Sequence, residues 1–233
     1  VDSVIYPDFP YSHVYAIKEV VEKIPADSVL HLSINDSIRI TNFFKLNPRI
    51  KTYADIGTHG IDGCLSSFLG QAAAGNKQSY LVIGDLAFFY DMNAMRLRHI
   101  KNNVHILLIN NEGGSEFYFN HMWKDEASDL HTTARHHTKA EGWVKSNNFI
   151  YLSAHDKESM REALKEFMRS DLEKPVFLEV FTEMKTDSDV IYDFFDLSRP
   201  KDVQSETIRR SKEFIKATIG QEKAQKIAGL FKK

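Results

Sequence analysis

The chain alternates short runs of apolar residues with segments of helical periodicity, and this alternation constrains its fold more than any other feature. Continuous apolar runs are typical of parallel strands that helices cover on both faces. We therefore predict an α/β fold, a doubly wound, mostly parallel six-stranded sheet with helices on both faces. The predicted strands span residues 29–34, 51–56, 80–83, 104–109, 149–152 and 176–181.

A length of 233 residues fits one substantial domain. We predict that this domain spans residues 1–185 and that a linker and basic C-terminal helices occupy 186–233. The segment 115–134 is polar, aromatic and aperiodic, and we predict a long loop there. The helices that bear on the site are predicted over residues 37–44, 64–74, 88–101 and 137–146.

Composition excludes several classes of protein. Thirty basic and 32 acidic residues give a net charge of −2, which argues against general nucleic-acid binding. No apolar run approaches the roughly 20 residues that cross a bilayer, so no membrane span is predicted. The lone cysteine, Cys64, cannot form an internal disulfide, which favours a reducing, cytoplasmic location.

Unusual residues follow three of the predicted strands. A glycine-rich loop, 57–63, follows the second strand, and Gly84 and Asp85 follow the third. The fourth strand ends in the sequence Asn-Asn-Glu-Gly-Gly, residues 110–114. Because ligands bind beyond the carboxyl ends of strands in open α/β sheets, we expect all three segments to lie on one rim.

The chemistry of these segments predicts a ligand. Asp85 offers a carboxylate oxygen, Asn111 an amide oxygen, and the following turn a backbone carbonyl. Such hard oxygen donors suit Mg²⁺ that is bound jointly by protein and phosphate. The glycine-rich loop leads into a helix N-terminus, which favours an anion. Together these residues predict a site for Mg²⁺ and a diphosphate compound.

The same residues resemble a known family. A Gly-Asp pair followed some two dozen residues later by Asn-Asn is similar to the metal and diphosphate motif of thiamine diphosphate-dependent enzymes. The longer stretches 60–63, 84–93 and 110–114 resemble one branch of that family, the 2-succinyl-5-enolpyruvyl-6-hydroxy-3-cyclohexene-1-carboxylate synthases of menaquinone biosynthesis. The resemblance covers roughly residues 10–183 and implies that the predicted domain is the family's diphosphate-binding domain.

The resemblance implies roles for individual residues. Asp85, Asn111 and the backbone carbonyl of Gly113 would ligate Mg²⁺, and Ile61 would support the bent cofactor. The residues implied in cofactor binding are Gly60, Ile61, Gly84, Asp85, Leu86, Ala87, Asn111, Gly113 and Gly114.

An activity and partners are also implied by the resemblance. The expected reaction is decarboxylation of a small 2-oxo acid, followed by carboligation. In this family a Glu on a separate pyrimidine-binding domain activates the cofactor, and nothing in these 233 residues resembles that domain. We therefore expect a pyrimidine-binding domain or subunit as partner, and an active site between two chains of a homodimer or larger assembly.

Positions near the expected substrate depart from the branch's pattern. Ile56 or one of its neighbours stands where the branch has an Arg before the loop, and Glu116 and Phe117 replace an apolar pair. Arg39 is a candidate match for another carboxylate-binding Arg, and His59 lies in the loop. We take Arg39, His59, Glu116 and Phe117 as candidate substrate residues. Two alternatives stay open: a related thiamine diphosphate enzyme with a different substrate, and a non-catalytic subunit that keeps the fold.

Overall fold

A six-stranded sheet forms the centre of the protein, and all of its strands are parallel. The computed structural model describes residues 6–57, 60–118 and 131–198. The sheet has the order β2-β1-β3-β4-β6-β5, which confirms the predicted α/β class. The strands are β1 (Val29–Leu32), β2 (Lys51–Ala54), β3 (Ser79–Gly84), β4 (Val104–Asn110), β5 (Ile150–Ala154) and β6 (Val176–Phe181).

Helices connect the strands in the manner expected of parallel pairs. Each of the strands β1, β3, β4 and β6 is buried along nearly its whole length, as their apolar sequences predict, whereas the edge strand β2 is exposed. The described helices are α1 (His13–Val21), α2 (Asp36–Thr41), α3 (Cys64–Ala74), α4 (Asp85–Asp91), α5 (Ser115–Tyr118), α6 (Glu141–Ser146), α7 (Lys157–Phe167) and α8 (Met184–Ser198).

The strand order leaves a crevice where successive connections between strands run in opposite directions across the sheet. The strand β2 pairs on one side of β1, and β3 pairs on the other. The connections from β1 to β2 and from β2 to β3 therefore run in opposite directions across the sheet. Such a reversal leaves open space beyond the carboxyl ends of β1 and β3, which is where α/β sheets bind ligands.

Several predicted helix boundaries are wrong. The helix predicted over 88–101 begins at Asp85, directly after β3, because Gly84 has extended backbone (φ −83°, ψ 162°) and Asp85 begins the first turn. It continues as a 3₁₀ helix over Met92–Arg96 and stops there. The helix predicted over 37–44 ends at Thr41, and the one predicted over 137–146 begins at Glu141. Part of the predicted loop 115–134 is the helical turn α5.

The segment from 186 to 198 was predicted as linker and is helical. Asp187 and Ile191 lie on the buried side of α8, at 0% and 1% exposure. Acidic and basic residues interrupt its apolar positions, which hides the helical period in the sequence. From Phe194 on, the chain belongs to a second compact unit, of which the structure describes only this end of α8. The predicted basic helices lie outside the described residues, and the domain limit at 185 stays a prediction.

Within the described parts of the chain, none of the helices combines the length and the apolar character that a membrane crossing needs.

Candidate functional site

A cavity of about 270 Å³ opens beyond the carboxyl ends of β1, β3 and β4. Its wall combines the segments that follow these strands with residues of α1 and with Ile61, which precedes α3. The segments predicted after β3 and β4 thus line one cavity, whereas the glycine-rich loop after β2 contributes only Ile61 to the described lining. The predicted residues that line it are Ile61, Gly84, Leu86, Ala87, Asn111, Gly113, Gly114, Glu116 and Phe117.

Asp85 lies directly behind this lining and is only 2% exposed. Its Oδ2 accepts hydrogen bonds from the backbone nitrogens of Asn111 (3.2 Å) and Gly113 (2.9 Å). Its Oδ1 accepts one from the backbone nitrogen of Leu86 at 2.6 Å. A buried carboxylate needs such donors, because it would otherwise lose its hydration without compensation. Asp85 thus joins the end of β3 to the turn after β4.

The turn after β4 depends on glycine. Gly113 has φ +148°, a conformation that residues with a side chain rarely adopt. A Cβ at this position would lie 2.7 Å from the carbonyl oxygen of Thr133. The same carbonyl accepts a hydrogen bond of 2.7 Å from the backbone nitrogen of Gly114. The segment around Thr133 therefore packs against the turn too closely for any side chain at position 113.

The two asparagines at the end of β4 point to different partners. Asn110 donates a hydrogen bond of 2.7 Å to the buried carboxylate of Glu179 on β6. Asn111 donates one of 2.9 Å to the carboxylate of Asp187 on α8. Because a carboxylate only accepts hydrogen bonds, this contact assigns Nδ2 of Asn111 to Asp187. The amide oxygen of Asn111 is left as the atom that can bind a ligand in the cavity.

Asp187 has a second set of contacts that tie α8 to α1. Its Oδ1 accepts a hydrogen bond from the backbone nitrogen of His13 at 2.8 Å, and its Oδ2 accepts one from the Thr182 hydroxyl at 2.6 Å. The His13 side chain lines the cavity and is 2% exposed, and its Nε2 has no hydrogen-bond partner. Asp187 therefore links the N-terminus of α1 with Asn111.

His136 approaches Asp85 from the far side of the turn. Its Nε2 lies 3.3 Å from Oδ2 of Asp85, and hydrogen bonding to that carboxylate, together with its negative charge, raises the pKa of His136. The backbone nitrogen of His136 also donates to the carbonyl of Glu112 at 3.1 Å. The histidine thus supports the turn that carries Gly113.

A group of charged side chains lies at the opposite end of the cavity. Arg39 contacts Glu116 with 2.5 Å between Nη1 and Oε1, and its Nη1 is 3.6 Å from Oδ1 of Asp36. The Ser115 hydroxyl donates to Oδ2 of Asp36 at 3.1 Å. Burial raises the pKa of both carboxyl groups, and the charge of Arg39 opposes this shift. Arg39 thus contacts Glu116, and Glu116 and Phe117 line the cavity, while their role as substrate residues stays a prediction.

The donor set fits Mg²⁺ bound together with a diphosphate. It comprises the Asp85 carboxylate, the Asn111 amide oxygen and the Gly113 carbonyl. The Gly113 carbonyl accepts one hydrogen bond, from the backbone nitrogen of Ser115, and a carbonyl oxygen has a second lone pair for a ligand. In the described residues no three His, Cys, Asp or Glu side chains are grouped to hold a metal, so a cation here would need amide, carbonyl and phosphate oxygens. A Cβ at Gly84 would meet no atom within 4 Å, which leaves room for a ligand beside β3.

Four predicted site residues are absent from the described lining of the cavity: Arg39, His59, Gly60 and Asp85. The carbonyl of Gly60 contacts the Cys64 thiol at 4.0 Å. His59 lies outside the described residues. Conversely, the sequence analysis missed His13, Asp36 and Asp187. Only Asp36 carried a local signal, since it lies two residues after the predicted strand that ends at Ile34.

Comparison with known proteins identifies relatives of this chain. No family model matches the chain. A protein of Bacteroides fragilis named 2-succinyl-5-enolpyruvyl-6-hydroxy-3-cyclohexene-1-carboxylate synthase is 37% identical over 191 residues, which are 81% of this chain and 34% of the relative. Proteins of the same name from Phocaeicola vulgatus and Bacteroides thetaiotaomicron are 36% and 35% identical, over 81% and 84% of this chain and 34% and 36% of the relatives. The chain thus spans about one third of the length of these curated relatives. It is a homologue of the 2-succinyl-5-enolpyruvyl-6-hydroxy-3-cyclohexene-1-carboxylate synthases, which are thiamine diphosphate-dependent enzymes.

Proposed function

We propose that this chain forms the Mg²⁺- and diphosphate-binding part of a thiamine diphosphate-dependent 2-oxo acid decarboxylase and carboligase. One observation carries the proposal: Asp85, behind the cavity lining, accepts hydrogen bonds from the backbone nitrogens of Asn111 and Gly113, which line the cavity. This contact holds Asp85 beside the two residues that would supply the other oxygen donors. The homology to the menaquinone-pathway synthases supports the same cofactor.

Each residue would have a separate task in this site. Asp85, the amide oxygen of Asn111 and the carbonyl of Gly113 would hold Mg²⁺, and Gly84, Leu86 and Ala87 would lie along the diphosphate. Ile61 would support the organic part of the cofactor by apolar contact. When bound, the cofactor supplies an electron sink for the carbanion that forms next to a carbonyl. The apolar wall excludes water and so strengthens the electrostatic interactions of the bound groups.

The proposal includes partners that belong to the complete enzyme. Activity would require a pyrimidine-binding domain or subunit that carries the activating Glu, with the active site shared between two chains. A cytoplasmic location and a homodimer or larger assembly are part of the same proposal. The substrate would be a small 2-oxo acid.

Titration calorimetry with thiamine diphosphate and Mg²⁺ on the full-length protein tests this proposal. We expect Mg²⁺-dependent binding in the wild type and its loss in Asp85→Ala, with an unchanged far-UV circular dichroism spectrum. The exposed Asp171, which pairs with Arg169, provides the matched control Asp171→Ala. Tight Mg²⁺-dependent binding by Asp85→Ala, or none by the wild type, would contradict the proposal.

A further inference from the structure

His13 is a buried histidine whose ring forms part of the cavity wall. It is the first residue of α1, and its side chain is 2% exposed. The lining that the structure describes contains the carboxylates of Asp36 and Glu116 but no Lys or Arg, so His13 is the one basic side chain in it. An anion bound in this part of the cavity would therefore depend on His13, on backbone N–H groups or on a metal ion.

The contacts of Nδ1 determine where the neutral ring of His13 carries its proton. The backbone nitrogen of Val14 donates a hydrogen bond of 2.9 Å to Nδ1. Nδ1 is 3.4 Å from Oδ1 of Asp187, an oxygen that already accepts a hydrogen bond from the backbone nitrogen of His13 at 2.8 Å. The shorter contact assigns Nδ1 as an acceptor, so the proton of the neutral ring lies on Nε2. Nε2 is therefore a hydrogen-bond donor.

This donor has no acceptor among the described residues. Nε2 is buried without a hydrogen-bond partner, and Oδ2 of Asp36 is 3.8 Å away, which is beyond hydrogen-bond distance. The same Oδ2 accepts a hydrogen bond from the Ser115 hydroxyl at 3.1 Å, and Arg39 offsets part of the charge of Asp36 with its Nη1 3.6 Å from Oδ1. Because a buried donor without an acceptor is costly, a ligand oxygen that reaches Nε2 gains affinity.

Asp187 places this donor beside the proposed Mg²⁺ ligand Asn111. One oxygen of Asp187 accepts a hydrogen bond from the backbone nitrogen of His13, and the other accepts one from the side-chain amide of Asn111. His13 and Asn111 both line the cavity. A diphosphate that shares Mg²⁺ with Asn111 would bring its oxygens to this end of the cavity. Phosphate oxygens are charged acceptors, which suits an unpaired N–H donor.

We propose that His13 is a further diphosphate-binding residue, whose Nε2–H donates a hydrogen bond to a phosphate oxygen of the bound cofactor. This inference rests on the proposed function and adds a residue of α1 to that site. In the competing arrangement the ring turns slightly and pairs Nε2 with Asp36, and His13 then makes no contact with the ligand.

Two variants, each of which keeps the function of one ring nitrogen, test the proposal. In His13→Asn the amide oxygen can accept from Val14 as Nδ1 does, but no atom reaches the position of Nε2. In His13→Gln the amide nitrogen can reach that position and donate. Calorimetry on the full-length protein measures the affinity for thiamine diphosphate in the presence of Mg²⁺. We expect His13→Asn to bind about tenfold or more weakly than the wild type, and His13→Gln to stay within about threefold of it.

Urea unfolding separates this role from a structural one. We expect His13→Asn to be at least as stable as His13→Gln, because it keeps the contact with Val14. The weaker binder would then be the more stable variant, which a purely structural role does not produce. Should His13→Asn fail to fold, His13→Phe, which keeps a ring but has no donor, takes its place with the same expected loss of affinity.

The outcomes that overturn the inference differ from those that overturn the proposed function. If the donorless variant binds as tightly as the wild type, Nε2 does not contact the diphosphate. Equal losses in His13→Gln and the donorless variant also overturn the inference, because the N–H group would then not be what matters. A wild type that does not bind thiamine diphosphate with Mg²⁺ overturns the proposed function and this inference with it.

Discussion

Asn111 donates a hydrogen bond of 2.9 Å from its side-chain amide to the carboxylate of Asp187, and both groups are buried. The contact decides which end of the amide faces the cavity. Without an acceptor at position 187, the amide of Asn111 could turn and present its NH₂ group to a cation. Asp187 does not line the cavity, so it is a positioning residue and not a ligand.

We therefore predict that Asp187→Asn weakens Mg²⁺-dependent binding of thiamine diphosphate by about 10- to 100-fold, the usual effect of losing such a supporting contact. The backbone nitrogen of His13 needs the oxygen of the new amide, so its NH₂ group would face that of Asn111, and Asn111 would turn its oxygen away from the metal. Calorimetry on the full-length protein measures the change.

The reciprocal exchange provides the control for this prediction. In the double variant Asn111→Asp with Asp187→Asn, the new Asn can donate to the new Asp, which keeps an oxygen for the metal. We expect this variant to recover part of the lost affinity. Equal affinity in Asp187→Asn and the wild type would show that Asp187 does not orient Asn111.

Gly113→Ala should destabilise the protein by about 2–4 kcal/mol, because a Cβ at φ +148° is strained and would lie 2.7 Å from a backbone oxygen. The free energy of unfolding in urea measures this loss. A Cβ added at Gly142 in α6 would meet no atom within 4 Å, so Gly142→Ala provides a control. We expect it to be neutral or slightly stabilising, since Ala favours helix over Gly. Similar stabilities for the two variants would contradict the steric argument.

The sequence predicts those features of the site that arise locally. The apolar runs of β3 and β4 are visible without a structure, and parallel strands bring their ends together. Gly84, Asp85 and Asn111 were predicted on this basis, and the structure places them around one cavity.

Contacts between distant elements were beyond this reasoning. Asp187 lies 76 residues from Asn111, and its helix was predicted as linker because charged residues interrupt the apolar period. Arg39 and Glu116 were both candidate substrate residues, yet nothing local indicates that they pair with each other. Periodicity describes one element at a time, and pairing depends on how the elements pack.

A buried histidine next to the exposed edge strand makes stability depend on pH. His31 lies on β1, and its ring centre is 5.0 Å from that of Tyr53 and 5.5 Å from that of Phe68. Burial lowers the pKa of His31 to about 4, and its Nε2 has no hydrogen-bond partner. The pKa of a histidine in the unfolded chain is about 6.5. The unfolded chain therefore binds more protons at this position than the folded protein does between about pH 4 and 6.5.

The contribution of His31 to stability should therefore be complete above about pH 6.5 and fall as the pH is lowered toward 4. We expect the protonation of His31 on unfolding to lower the free energy of unfolding by about 2 kcal/mol over this window, after allowance for solvent screening. His31→Phe should lack this part of the loss, whereas His99→Phe, which replaces an exposed histidine, should retain it. Urea unfolding at pH 7 and pH 4.5 measures the difference. If His31→Phe loses as much stability as the wild type between these values, His31 is not the group that is protonated on unfolding.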